Sequence, residues 1–155
     1  MWTCAPKAAA DVVVLANWAK ANSYKLRPCG AKHGWTPLTV VKGAPVDRVI
    51  LLDTTQYLNG ITINGGSPAT FTAGAGATLD NILAALQNAG LGLVSVPAPG
   101  VLTIAGALAV NAHGAAVPAN GETPIPGTTY GSLSNLVTSL TAVVWDAATN
   151  QYVLK

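Results

Sequence analysis

The stretch Arg27-Pro28-Cys29-Gly30-Ala31-Lys32-His33-Gly34-Trp35-Thr36-Pro37-Leu38 gathers two glycines, basic side chains, a histidine and a run of main-chain N–H groups. Consecutive N–H groups in a tight loop form an anion-binding concavity that suits a pyrophosphate. The same composition also fits a surface turn that happens to carry a histidine. A second stretch runs from Pro97 through Pro99, Gly100, Thr103, Ile104, Gly106, Asn111 and His113 to Gly114. Thr103 is placed to cap a helix whose N-terminus attracts phosphate. The side chains that follow it are small, which lets a flat ligand lie close to the backbone. A tight helix-on-sheet contact asks for the same small residues.

The familiar signatures of other chemistries are missing. Gly74-Ala75-Gly76-Ala77-Thr78-Leu79 supplies the first two glycines of a dinucleotide fingerprint and then a leucine, and no G-x-x-x-x-G-K-[ST] occurs. There is no G-x-S-x-G and no H-E-x-x-H. Glu122 is the only glutamate and the five aspartates stand far apart, so paired-carboxylate catalysis is poorly supplied. Cys4 and Cys29 either bridge or stay free and buried. With no CxxC and no second histidine beside either cysteine, no metal site is expected.

The elements that must position these stretches follow from periodicity. Ala8 to Asn22 reads as a helix, with Val12, Leu15, Ala16 and Ala19 on one face. Tyr24 to Pro28 reads as extended, since Arg27 precedes a proline, and Cys29 to Pro37 as a loop. Val49 to Leu52 is a continuous apolar run expected to be a buried strand. Ile61 to Asn64 and Thr70 to Ala73 read as strands joined by the turn Gly65-Gly66-Ser67-Pro68. Thr78 caps a second helix that turns Leu79, Ile82, Leu83 and Leu86 inward and ends at Gly90. Ile104 to Asn111 is expected to form a third helix. Leu136 to Trp145 and Gln151 to Leu154 read as strands joined through Asp146 to Asn150. The order gives βαβ at the start and a mixed arrangement afterwards: an α+β chain in two lobes with a boundary near Asp53 to Asn59.

Composition bounds the rest. The chain has 155 residues, 50% of them apolar and 9% charged, with a mean hydropathy of +0.42. That excludes the low-hydrophobicity, high-charge class of disordered chains. Eight basic residues against six acidic ones leave +2, too weak and too scattered for a nucleic-acid footprint. Asn81 to Gly121 holds no charged residue at all. Leu91 to Ala112 approaches the length of a membrane span, but Pro97, Pro99 and Gly100 interrupt it and no span is expected. Burial against something apolar is the better reading. Met1 is followed by no basic region and apolar core, so no signal peptide is expected at this start.

Taken together, RPCGAKHGWTPL, PAPGVLTIAGALAVNAHG and YGSLSNLVTSLTAVVW, with DVVVLANWA and FTAGAGATL in matching order, resemble the PCMH-type FAD-binding domain of the vanillyl-alcohol oxidase superfamily. Within that superfamily they are most similar to the covalent-flavin (type II) bacterial cholesterol oxidases. The likeness runs from about Trp2 to Tyr152.

The resemblance implies a two-lobed domain: a small βαβ lobe carrying the pyrophosphate loop over residues 1–55, and a larger mixed sheet with helices over 56–155. It implies FAD as cofactor, cradled by Gly30, Ala31, Lys32, His33, Gly34 and Trp35. His33 would be the covalent attachment residue at the flavin 8α carbon, a role open to a neutral imidazole nucleophile. The second stretch would line flavin and phosphates with Pro99, Gly100, Thr103, Ile104, Gly106, Asn111 and Gly114, and His113 would orient or hydrogen-bond. Cys29 stands where the family pattern has an arginine, and Ala105 where it has a glycine.

The implied parent is a secreted alcohol oxidase that oxidises a sterol 3β-hydroxyl by hydride transfer to FAD and reduces O₂ to H₂O₂. Its substrate domain, and with it the catalytic residues, has no counterpart in this chain. A missing substrate domain or partner chain is therefore an expected partner, and the chain alone is not expected to catalyse. Two alternatives remain open: a sugar or alditol oxidase of the same superfamily, and a non-catalytic binding or assembly module that turns the uncharged stretch toward a partner.

Overall fold

The computed structural model describes residues 1–35, 37, 39–123 and 130–155; Thr36 and Leu38 of the first candidate loop lie outside the described residues. Three parallel strands, β1 (Trp2–Cys4), β2 (Lys25–Cys29) and β3 (Val49–Asp53), form a sheet in the order β1-β3-β2. Val49 to Leu52 are all buried, as expected of a central parallel strand covered on both faces. β1 is the first strand of the βαβ order expected at the start; its bounds are not legible because three residues are too few to show a period.

Helix α1 (Ala9–Ala21) connects β1 to β2. Its start is fixed by Asp11, whose Oδ2 accepts from the N–H groups of Lys7 and Ala8 at 2.8 and 3.0 Å. Its end is a Schellman turn: Tyr24 N–H donates to Ala19 O at 2.7 Å and Ser23 N–H to Lys20 O at 3.3 Å, with Ser23 in the left-handed region at φ 58°. Ala16 and Ala19 are buried and Val12 and Leu15 half-buried, the face that the spacing predicts.

The chain passes from β2 to β3 through residues 30–48, which hold no helix or strand among the described residues. Parallel neighbours usually need a helical crossover; here an irregular loop does the work, leaving the carboxyl end of β2 and returning to the amino end of β3, where Lys25 N–H donates to Arg48 O at 2.8 Å. Cys29 is the last residue of β2 rather than the first of the loop, because its register partner is Asp53.

The second core is built from β4 (Ile61–Asn64), β5 (Thr70–Ala73), α2 (Leu79–Asn88) and α3 (Ile104–Ala109). Thr78 Oγ1 caps α2 by accepting from Asn81 N–H at 3.3 Å. Gly90, at φ 70°, ends it with Leu91 N–H donating to Leu86 O at 2.9 Å. Leu79, Ile82 and Leu86 are buried with Ala77, Ala107 and Leu133. The uncharged stretch thus supplies this core, although Val101, Val110 and Val117 are exposed. No helix of the described residues is long and apolar enough to cross a membrane.

Two expectations are corrected. The third helix stops at Ala109, because Asn111 takes a left-handed φ of 55° that ends it. The strand expected over Leu136 to Trp145 is only β6 (Val143–Asp146). Leu136 belongs to a 3₁₀ turn, Leu133–Leu136, capped by Ser132 Oγ accepting from Ser134 N–H at 3.1 Å. β6 pairs antiparallel with β7 (Gln151–Leu154), whose four residues fix the length that can be matched. Among the described residues the strands after β3 pair as two separate hairpins rather than one larger sheet. Each of those strands has only four residues and pairs with a strand only within its own hairpin.

The β6–β7 hairpin lies against α1. Asn17 Nδ2 donates to Tyr152 O at 2.9 Å, and Tyr152 N–H donates to Asn17 Oδ1 at 2.8 Å. Lys20 Nζ sits 4.0 Å from the Trp145 ring centre, within cation–π range.

Both cysteines are free. Cys4 and Pro28 flank Leu52 from opposite sides, so β1 and β2 stand two strand spacings apart, about 9–10 Å. A disulfide needs Cα atoms within about 7 Å, and the bridge that the even count allows does not form.

Candidate cofactor-binding site

The first loop leaves the carboxyl end of β2. Among the described residues, no main-chain N–H from Gly30 to Trp35 donates to a protein acceptor. These donors are consecutive and, from Ala31 to Trp35, exposed, so they are open to water or to a ligand. Lys32 takes a left-handed φ of 57°, the kind of backbone turn from which a nest of amides is built. Its positive charge also acts at the C-terminal end of β3. There the Asp53 carboxyl is held below the usual carboxylate range, chiefly by the Thr55 hydroxyl and amide and to a lesser degree by Gln56 and Lys32. Ala31, His33 and Gly34 are exposed, and Trp35 is 97% exposed.

The second stretch comes to the same place. Thr103 begins α3 but makes no capping bond with its side chain. Instead it is 2% exposed and its hydroxyl occupies the space beside Gly30. A Cβ on Gly30 would overlap Thr103 Oγ1 and lie 3.1 Å from Cγ2. Glycine is needed at 30 because two chain segments touch there, and Gly106 backs the same hydroxyl, at 3.0 Å from where its Cβ would stand.

Residues 75–80 hold the second stretch in register. Leu79 N–H donates to Leu102 O at 2.9 Å, Ile104 N–H to Ala77 O at 2.8 Å, and Ala105 N–H to Ala75 O at 3.3 Å. Asp80 N–H donates to Gly100 O at 2.9 Å, and a Cβ on Gly100 would overlap the Asp80 carboxylate. Pro99 O accepts from Leu102 N–H at 3.5 Å, and Ile104 is half-buried against the second core.

Asn111, His113 and Gly114 form a separate cluster beyond α3. Asn111 Oδ1 accepts from the Ser132 hydroxyl, and His113 pairs with Ser132 in an isolated antiparallel bridge. His113 is exposed, with Nδ1 3.0 Å from Gly114 O. Gly114 N–H donates to the buried Ser95 Oγ at 3.1 Å. The structure therefore joins Gly30 directly to Thr103, whose hydroxyl also borders Gly106, and ties Gly100 to Asp80. It places His33 and Trp35 at the exposed side of the loop.

Sequence reasoning missed the part played by Thr54 and the Gly74–Ala77 run. Gly74 and Gly76 lie so close to the carbonyls of Leu58 and Thr54 that a Cβ on either would overlap them. The glycine pair was legible, but only as a broken nucleotide signature. Ser95 and Ser132 were not legible, because nothing about a lone serine marks it as the partner of a residue far along the chain.

The site fits a diphosphate. It offers, among the described residues, a run of amides with no protein acceptor, one lysine at the bend, and a glycine at position 30 where the loop meets Thr103 too closely for a Cβ. The chain matches the family model described as FAD binding domain over residues 3–149. No curated protein matches it. Among solved structures, the cholesterol oxidase from Brevibacterium sterolicum is 63% identical with a TM-score of 0.95, covering 100% of this chain and 28% of that one. A histidine-to-alanine variant of that enzyme is 62% identical, also with a TM-score of 0.95, covering 100% and 29%. A solvent-stable cholesterol oxidase is 52% identical with a TM-score of 0.94, covering 99% and 29%. The chain thus spans under a third of the length of the structures it matches, and it belongs to the FAD binding domain family.

Proposed function

We propose that the two stretches hold the FAD diphosphate between them, in the FAD-binding portion of a flavin-dependent alcohol oxidase that acts on the 3β-hydroxyl of a sterol. The observation that carries this reading is the run of amides from Gly30 to Trp35 without an acceptor among the described residues, which begins where Gly30 lies against Thr103. FAD, when bound, accepts hydride from the alcohol carbon and returns the electrons to O₂ as H₂O₂; the protein's share is binding, orientation and electrostatics. Gly30, Ala31, Lys32 and Gly34 bind the phosphates through main-chain N–H groups and the Lys32 charge. Thr103, Ile104 and Gly106 line the opposite wall, with Pro99 and Gly100 leading into it. Asn111, His113 and Gly114 border the flavin end, and Trp35 covers the ligand from the open side.

His33 is our choice for covalent attachment to the flavin 8α carbon. It sits within the loop and its ring is exposed, so nothing in this chain blocks the imidazole. The chain divides into functional parts at residues 1–55 and 56–155, each bringing one wall of the cradle, while residues 143–154 pack back on α1. The groups that recognise the sterol lie outside this chain. For the whole protein we propose secretion, which comparison of culture fluid with cells tests.

One spectrum from 300 to 500 nm, taken before and after acid precipitation of chain loaded with FAD, tests the reading. Yellow colour retained in the denatured protein, and lost in His33→Ala, is the expected result. Bleaching on precipitation rejects attachment through His33 and leaves reversible binding standing. Absence of any flavin spectrum rejects the FAD site itself.

A further inference from the structure

We propose that Thr54 is the positioning residue of the phosphate loop, through two hydrogen bonds to the Cys29 carbonyl and the contact of its own carbonyl with Gly76. The inference rests on the reading that residues 30–35 hold a diphosphate.

Thr54 follows β3 and is 8% exposed. Its N–H and its hydroxyl both donate to Cys29 O, at 3.1 and 3.3 Å. Cys29 is the residue immediately before the unpaired amides, so both bonds act on the peptide plane from which the loop departs. The direction of the Gly30 N–H is fixed by that plane, because the peptide unit is rigid. On its other side Thr54 meets the second half of the molecule. A Cβ on Gly76 would overlap Thr54 O and lie 2.9 Å from Thr55 Cα. Gly76 stands between Ala75 and Ala77, whose carbonyls accept from Ala105 and Ile104.

These contacts close a ring. Cys29–Gly30 touches Thr103, the residues after Thr103 bond to Ala75 and Ala77, Gly76 packs on Thr54, and Thr54 bonds back to Cys29. Every link except the two threonine hydroxyls is main chain. The Thr54 hydroxyl is accordingly the link that a substitution can remove without breaking the backbone path. Thr54 N–H still holds Cys29 O when the hydroxyl is gone, so the strand exit survives while the loop gains a degree of freedom.

Thr54→Val keeps the shape and removes the donor. With the hydroxyl's hold on the Cys29 carbonyl gone, FAD is expected to bind about three- to tenfold more weakly. The Kd is read by flavin fluorescence titration of the full 155-residue chain, well below its melting temperature, where an effect on stability alone does not change it. Thr54→Ser restores the hydroxyl and is expected to bind within about twofold of the parent. Thr54→Ala removes the same donor and serves in place of the valine variant should that one not fold. Gly30→Ala, which blocks the loop from Thr103, is the control. Weak binding by Thr54→Val or Thr54→Ala with rescue by Thr54→Ser is the result expected. Undiminished binding by these variants beside a Gly30→Ala that has lost FAD overturns the role of Thr54 alone, as does a serine variant as weak as the valine one. If Gly30→Ala also binds FAD normally, the loop is not the diphosphate site and the inference goes with it.

Discussion

The main chain of Gly30 and the side chain of Thr103, seventy-three positions apart, are in contact with no room for one further carbon between them. Gly30→Ala is therefore expected to force the loop and the start of α3 apart, at a cost of about 1–3 kcal/mol typical of overpacking. FAD titration reads this as roughly tenfold or greater loss of affinity. Adding Thr103→Ala frees the space, and the double variant is expected to recover part of the loss. Strict additivity of the two substitutions would show that the contact does not couple them.

Asp53 gives a pH dependence with a definite sign. Hydrogen bonds from the Thr55 hydroxyl and amide hold its folded-state pKa below the unfolded value of about 3.9. Its charge therefore contributes stability above the unfolded pKa, and this contribution is lost as pH falls through the depressed folded-state value. Asp53→Asn is expected to melt at a lower temperature than the parent near pH 7. The gap should narrow in acid and close once both pKa values are passed. Melting curves across that range check it.

The cysteines are expected to count exactly as two thiols under denaturing conditions, and a reducing agent should leave the melting temperature unchanged. Burial pushes the Cys4 thiol above its ordinary pKa, and only the thiolate reacts. Alkylation of native Cys4 should accordingly accelerate at a higher pH than alkylation of the unfolded chain. Mass spectrometry of the alkylated chain resolves both points.

Ile82 is wholly buried in the second core. Ile82→Ala should cost about 2–5 kcal/mol, read by denaturant unfolding. Asn17→Leu removes both bonds to Tyr152 and leaves the Tyr152 amide and carbonyl without their partner. A loss of about 1–3 kcal/mol is expected there.

What the sequence discloses follows the range of the interactions. Helix α2 is legible because its cap, its inward residues and its closing glycine all lie within a dozen positions. β4 and β5 are legible because alternation and a Gly-Gly turn are local too. The family likeness of the loop over Gly30 to Trp35 is carried by consecutive residues. Its wall is not: Thr103 looks like an ordinary N-cap, and only packing turns its hydroxyl toward Gly30 instead of its own helix. Thr54 is equally silent, since a threonine after a strand has no feature that names Cys29. The strand expected from Leu136 fails for a related reason. An apolar run supplies strand propensity over ten residues, but the partner strand is only four long, and pairing sets the limit.

The clasp between α1 and the β6–β7 hairpin also sets an order of events during synthesis. Asn17 emerges from the ribosome long before Tyr152, and at about 5–20 residues per second the wait is on the order of ten seconds. Throughout that interval the nascent polypeptide carries a finished first helix whose hairpin-facing side is wet. Contacts so distant along the chain are slow to form. The face of the first helix around Asn17 therefore stays uncovered until the hairpin arrives.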